Sequence, residues 1–188
     1  MSELHISTSP HIHRNKTTAG IMLDVIISLL PATVAGFIIF GLRALSVVLL
    51  CIGVCVISEF LFNKIVKKED TTGDLSAVVT GLLLGLNLPA HTPLWQAAVG
   101  SIFAIIAVKC IFGGIGCNLV NPAITARVFM LISFTELSRA SFPVDSVASA
   151  TPLAVEAGSE PTLVDLLLGN VGGAIGETCK IALLLGGI

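Results

Sequence analysis

The chain has 188 residues, of which 54% are hydrophobic and 12% charged, and its mean hydropathy is +0.98. A soluble domain carries roughly one quarter charged residues, so this composition excludes that class and points to an integral membrane protein in contact with the lipid bilayer. A net charge of -2 leaves no basic patch for nucleic acid, and no nucleic-acid partner is expected.

Residues 1–20 form a polar start containing Arg14 and Lys16, read as a cytoplasmic N-terminal segment. The first apolar run, residues 21–42, carries Asp24 and Pro31 and is not followed by a small-residue cleavage site. It reads as a retained helix that Pro31 should bend. A second span is expected over 44–62, with Glu59 near its end. Lys64, Lys67 and Lys68 then mark a charged hinge. The next segment, 75–89, ends at Pro89 and is short for a crossing, so it suits a broken or re-entrant helix. A fourth span covers 94–112. The fifth, 113–134, begins GGIGCNLVNP, and its first third should not be regular helix.

Residues 21–134 are thus expected to form a bundle of about five spans. Residues 163–188 begin a further span that stops at Ile188 without a polar tail, from which a fragment of a longer protein is expected. With the lysines after the second span on the cytoplasmic side, alternate crossing places the loop 135–162 outside. That loop holds Glu136, Asp145, Glu156 and Glu160 against Arg139. The fold class is an all-α membrane protein: a polytopic helical bundle with broken helices.

Polar residues at membrane depth are costly and tend to mark function. Arg127 is one, with Asn118 and Asn121 upstream of it in the same segment. A ligand role and anchoring by backbone carbonyls weigh equally for the arginine. Asp24 is the nearest candidate of opposite charge on another span, but a solvated place near the cytoplasmic interface is the favoured reading for it. The cysteines Cys51, Cys55, Cys110, Cys117 and Cys179 lie in or beside apolar runs and read as small hydrophobes, with no disulfide framework and no metal assigned. The glycines of GNVGGAIGE, residues 169–177, suit close helix packing rather than dinucleotide binding, since no strand precedes them. In the loop, SVASATPLA places Thr151 before Pro152, which favours extended backbone and presents the hydroxyl to solvent. On the motif alone this is turn chemistry.

Five ordered motifs carry a resemblance. They are SPH (Ser9 to His11), DLSAVVTGLLLGLNLP (Asp74 to Pro89), GGIGCNLVNPA (Gly113 to Ala123), SATPL (Ser149 to Leu153) and LLGNVGGAIGET (Leu167 to Thr178). Together they resemble the D subunits of Rnf electron-transport complexes and, more distantly, the B subunits of sodium-pumping NADH:quinone reductases. The resemblance implies the first half of an inverted-repeat fold in the cell inner membrane, with FMN joined through its phosphate to a threonine in a motif like S/T-G-A-T. Thr151 is the matching position, flanked by Ser149 and Ala150. The chain departs from the stricter form, with Ala148 and Ser149 where Ser or Thr and then Gly would stand. A second flavin is also compatible with the resemblance, and Arg127, Asn118 and Asn121 are carried as further cofactor-binding candidates.

The implied partners are other Rnf subunits, among them a flavin-bearing extracytoplasmic subunit and membrane subunits, and a flavin transferase that makes the ester. The implied function is electron relay through FMN, coupling ferredoxin:NAD oxidoreduction to translocation of Na+ or H+. Half of a solute channel or transporter is the alternative, and a passive scaffold a third.

Overall fold

The structure, a computed structural model, describes residues 17–67, 72–134, 137, 163–169 and 171–188, and the regular elements among them are helical. An apolar solvent offers backbone groups no hydrogen-bond partner, so a chain this apolar must satisfy them within its own helices. Helix α1 (Thr18–Val66) starts at Thr17, whose hydroxyl oxygen accepts the Gly20 N–H at 3.2 Å. It ends at Lys67, which turns left-handed (φ 56°) and donates its N–H to the Asn63 carbonyl.

α1 contains 49 residues, about 74 Å if straight, against about 30 Å for a hydrocarbon core. It is not straight. Gly41, with φ 71° and ψ -162°, is the residue inside α1 that leaves helical geometry, a conformation glycine adopts at little cost because it lacks Cβ. Met22 shares a cavity with Ser76 and Lys109, and Lys109 bonds Glu59. In an unbroken helix Met22 and Glu59 would stand about 55 Å apart. α1 therefore folds back at Gly41 into a hairpin with two arms, each long enough to span. Two separate spans were expected at 21–42 and 44–62, and the turn falls inside the first of them. At Pro31, where a bend was expected, the backbone keeps helical angles. The Ser28 and Thr33 hydroxyls, one on either side of it, donate to the Val25 and Leu29 carbonyls.

A 3-10 turn (Thr72–Asp74) leads into α2 (Ser76–Asn87), which packs antiparallel on the second arm of α1. A Cβ added at Gly81 would come within 2.6 Å of the Ile52 Cα, and one at Gly85 within 2.9 Å of the Val48 Cα. Two small residues four apart thus let the backbones meet, as is common where helices associate in lipid. Short as it is, α2 joins the two ends of the bundle. Ser76 meets Lys109 at one end, and just past the other end the His91 carbonyl accepts from Arg43 beside the hairpin turn.

α3 (Leu94–Ile102) runs on as a π-helical stretch (Phe103–Cys110) back to the Glu59 end. Residues 111–121 are irregular, as expected for the Gly-rich start of the fifth span, and α4 (Pro122–Ser133) returns. Trp95 meets Phe134 edge-on at 5.2 Å and Phe103 stacks on Phe129 at 4.1 Å, which fixes α3 and α4 as antiparallel.

The segment 163–188 forms two short helices, α5 (Leu163–Leu168) and α6 (Lys180–Gly186), where one span was expected. The described residues between them are irregular, with Gly169, Gly173, Ile175 and Thr178 buried. The Ile175 and Gly176 N–H groups donate to the Leu88 and Leu86 carbonyls at 3.2 and 2.8 Å. A Cβ on Gly176 would lie 2.8 Å from the Leu86 Cβ, in line with the packing role expected of these glycines.

Small side chains fill the helix contacts, Ala32, Ala44, Cys51, Cys55, Ala97 and Ala126 among them, while Ile38, Leu42, Ile65 and Ile132 stand more than 70% exposed. Large apolar residues such as Leu84, Leu88, Ile105 and Met130 are buried as well. The bundle is thus apolar inside and out, with small residues at close helix contacts, as expected where helices associate in lipid. Gly81→Val should therefore cost about 2 kcal/mol or more by forcing α1 and α2 apart. Gly53→Ala, where an added Cβ meets nothing within 4 Å, should be neutral or slightly stabilising. Thermal unfolding in detergent checks the pair, and equal losses at both sites would contradict the packing assigned to α1 and α2.

Candidate functional site

The end of the bundle where α1 begins and its second arm finishes is built around one buried charge pair. Lys109 lies in the π-helical stretch, whose wider i to i+5 ladder continues past it: the Ile111 N–H donates to Ile106 and the Gly114 N–H to Lys109 itself. Its ammonium donates to Glu59 Oε1 at 2.7 Å and to Ser76 Oγ at 2.6 Å. Both charged side chains are only 2% exposed. Three elements, the second arm of α1, α2 and the π-helical stretch, thus meet at one nitrogen.

Lys109 and Ser76 also form one wall of a cavity of about 400 Å³. Thr80, Asn118 and Asn121 complete its polar side, and Met22, Leu83 and Leu119 lie on its apolar side. Thr80 donates its hydroxyl hydrogen to the Ser76 carbonyl at 2.8 Å. Asn121 is the cap of α4: its Oδ1 accepts the Ala123 and Ile124 N–H groups at 3.0 and 3.4 Å, ahead of Pro122 in the first turn. The end of the Asn118 amide that lies 3.2 Å from both the Gly114 and Lys109 carbonyls is assigned as the nitrogen, since only the NH2 group can donate to two carbonyl oxygens. Two of the candidates from sequence, Asn118 and Asn121, are therefore brought together with Lys109, and both hold the irregular loop in shape.

Arg127 is not among the residues lining that cavity. Its Nη2 donates to the Leu137 carbonyl at 3.3 Å, so carbonyl anchoring accounts for one nitrogen. The buried Nη1 has no hydrogen-bond partner among the described residues. Glu177, in the irregular stretch between α5 and α6, is the acid whose charge acts on it, and Glu177 itself accepts the Ala174 N–H at 2.9 Å. Asp24 lines a different cavity with Ser28, Pro31 and Gly186. Thr151, Ser149 and Ala150 lie outside the described residues.

Sequence reasoning placed Glu59 near the end of its span and assigned neither it nor Lys109 a partner. The signal that could have paired them is that each is a lone charge of opposite sign in an apolar run, an arrangement that membrane interiors tolerate when the two meet.

The family model described as the NQR2, RnfD, RnfE family matches residues 5–188. The chain is 47% identical, over all of its length, to the D subunit of the Na(+)-translocating ferredoxin:NAD(+) oxidoreductase complex of Acetobacterium woodii. It is 37% identical, over 97% of its length, to the D subunit of the proton-translocating ferredoxin:NAD(+) oxidoreductase complex of Clostridium ljungdahlii. The D subunit of an ion-translocating oxidoreductase complex from Shewanella piezotolerans is 36% identical over 90% of the chain. The chain spans 63%, 60% and 46% of these relatives' own lengths. On the family match and on these identities, the chain belongs to the NQR2, RnfD, RnfE family.

Proposed function

We propose that this chain is part of a membrane subunit of an Rnf-type complex that carries FMN on Thr151 and relays electrons, coupling ferredoxin:NAD oxidoreduction to translocation of Na+ or H+. The observation that carries the reading is similarity over the whole chain to subunits named for that reaction, together with the SATPL motif at Ser149 to Leu153.

The fold supports a division of labour between the two ends. The cavity end gathers Lys64, Lys67 and Lys109, with Arg14 and Lys16 ahead of α1 in sequence, and positive charge favours the cytoplasmic side. α4 leaves that end and finishes at Phe134 beside Trp95, so the loop carrying Thr151 sets out from the opposite, extracytoplasmic end. A phosphoester needs an accessible hydroxyl, which Thr151 supplies next to the small residues Ser149 and Ala150. At the foot of the loop the Arg127 Nη1, without a partner among the described residues, is a donor available to an acceptor group of the flavin. When bound, FMN supplies the redox chemistry, while the protein supplies tether, orientation and exclusion of water. Covalent attachment holds the cofactor where little free flavin is available for rebinding. A transferase makes the bond, and the neighbouring subunits, a flavin-bearing extracytoplasmic one among them, exchange electrons with it in the inner membrane.

The full-length protein from native membranes should yield a Thr151 peptide heavier by FMN less water. Thr151→Ala should abolish flavin fluorescence after denaturation with membrane insertion intact. An unmodified peptide from flavin-replete cells would favour a transporter role instead, which the broken α5 and α6 segment would then serve. A periplasmic-type reporter fused at Ser138 should be active outside the cytoplasm, and activity on the cytoplasmic side would reverse the orientation.

A further inference from the structure

We propose that Glu59, Ser76 and Lys109 form a cation-exchange site in which the Lys109 ammonium holds the place of the translocated monovalent cation. The inference rests on the reading above that the complex moves such an ion, and adds where this chain handles it.

Three observations lead to it. The ammonium is held by two oxygens, Glu59 Oε1 at 2.7 Å and Ser76 Oγ at 2.6 Å, and carboxylate and hydroxyl oxygens are the donors a hard cation takes. The pair is 2% exposed inside an apolar bundle, where an ionised group marks a pathway or relay unless it has another reason to be there. Lys109 and Ser76 also line the cavity of about 400 Å³, so the flexible lysine stem has polar space to move into beside Thr80, Asn118 and Asn121.

Exchange then keeps the Glu59 carboxylate compensated at every stage. With Lys109 docked, the carboxylate is balanced by the ammonium. As the ammonium swings into the cavity it carries its charge to the polar groups there, and an incoming Na+ takes the Glu59 and Ser76 oxygens, or an incoming proton neutralises the carboxylate. The site and cavity together then hold one more positive charge until the ammonium returns. When the ammonium returns, the ion is expelled. Lysine suits this because its charge is compact and sits on a mobile stem. A guanidinium, planar and forked, would bind the carboxylate bidentately and resist displacement. The π-helical stretch from Phe103 to Cys110 is the local irregularity that carries the lysine, a feature frequent at functional sites.

The test uses the assembled complex in inverted membrane vesicles, with reduced ferredoxin and NAD supplied. Sodium uptake and lumen acidification are each divided by NADH formed. Lys109→Arg keeps the ion pair, so a purely structural pair predicts a normal ratio, whereas exchange predicts that ions moved per electron fall at least about fivefold. Glu59→Gln with Lys109→Met, which leaves no buried charge, should lower the ratio at least as far. Sodium uptake that survives a protonophore identifies Na+ as the ion, and acidification without sodium identifies H+. A wild-type ratio in either variant overturns the site. If neither variant assembles, Ser76→Ala carries the test: the half-saturating ion concentration should rise at least about threefold, and an unchanged value overturns the proposal. Covalent flavin on Thr151 is scored separately in the wild type, so its absence counts against the electron-relay reading, while flavin-bearing variants that pump normally count only against the exchange site.

Discussion

The contact between Lys109 and Glu59 decides more of this structure than any other single interaction. Both charges are buried in a bundle whose outside is apolar, so each stabilises the other, and Lys109 donates a further hydrogen bond to Ser76. Breaking such a pair by removing one partner typically costs about 3–5 kcal/mol, because the remaining charge is left without compensation. The pair therefore requires the second arm of α1, the foot of α2 and the π-helical stretch to arrive at one level. That requirement in turn sets the hairpin turn at Gly41 at the opposite end, where Arg43 reaches the His91 carbonyl. The cavity at the Lys109 end follows from the same geometry. The irregular loop after Lys109 is pinned by Asn118 to the carbonyls of Lys109 and Gly114, and it restarts as helix only at the Asn121 cap.

Fine positioning comes from small residues rather than from large apolar ones. Gly81 and Gly85 let α2 approach Ile52 and Val48 at backbone distance, and Gly176 brings the irregular stretch against Leu86. In lipid, burying large apolar side chains gains little, because the solvent is as apolar as they are. Close van der Waals approach and internal hydrogen bonds carry the association instead. This explains why Ile38, Leu42 and Ile132 can face outward without penalty, while small residues are placed where backbones approach most closely.

The helical class was legible from composition, because an apolar run of this length has few ways to satisfy its backbone. The irregular stretch before α4 was legible from Gly113, Gly114 and Asn121-Pro122, whose local preferences oppose helix. The turn inside α1 was less so. Arg43 draws attention as the first charge after the run, yet the backbone reverses two residues earlier, at the residue able to take positive φ. The break in the last segment was missed because glycines serve close packing and loss of helix alike, and residues 171–179 do both. The pairing of Lys109 with Glu59 bridges fifty positions, and no local spacing rule reaches that far. Thr151 belongs to another category: its reading comes from ordered motifs, and a threonine before a proline is by itself turn chemistry.

Among the described residues, the buried pair of Lys109 and Glu59 and the half-buried Arg127 place charge inside the fold in two settings whose chemistry differs. Around Lys109 the ammonium is held by two side-chain oxygens beside a cavity with a polar wall. Around Arg127 the guanidinium is tied to the Leu137 carbonyl, lies in the field of Glu177 and keeps one buried nitrogen without a partner among the described residues. A compact ammonium on a flexible stem can be exchanged for another small cation, whereas a planar guanidinium fixed at one nitrogen presents a directed donor to a larger acceptor. Interchanging the two residues would defeat both arrangements: an arginine at 109 would clamp Glu59, and a lysine at 127 would keep a charge but lose the second, separately directed donor. The residue types thus agree with a division in which one end handles a small ion and the other faces a bulky acceptor.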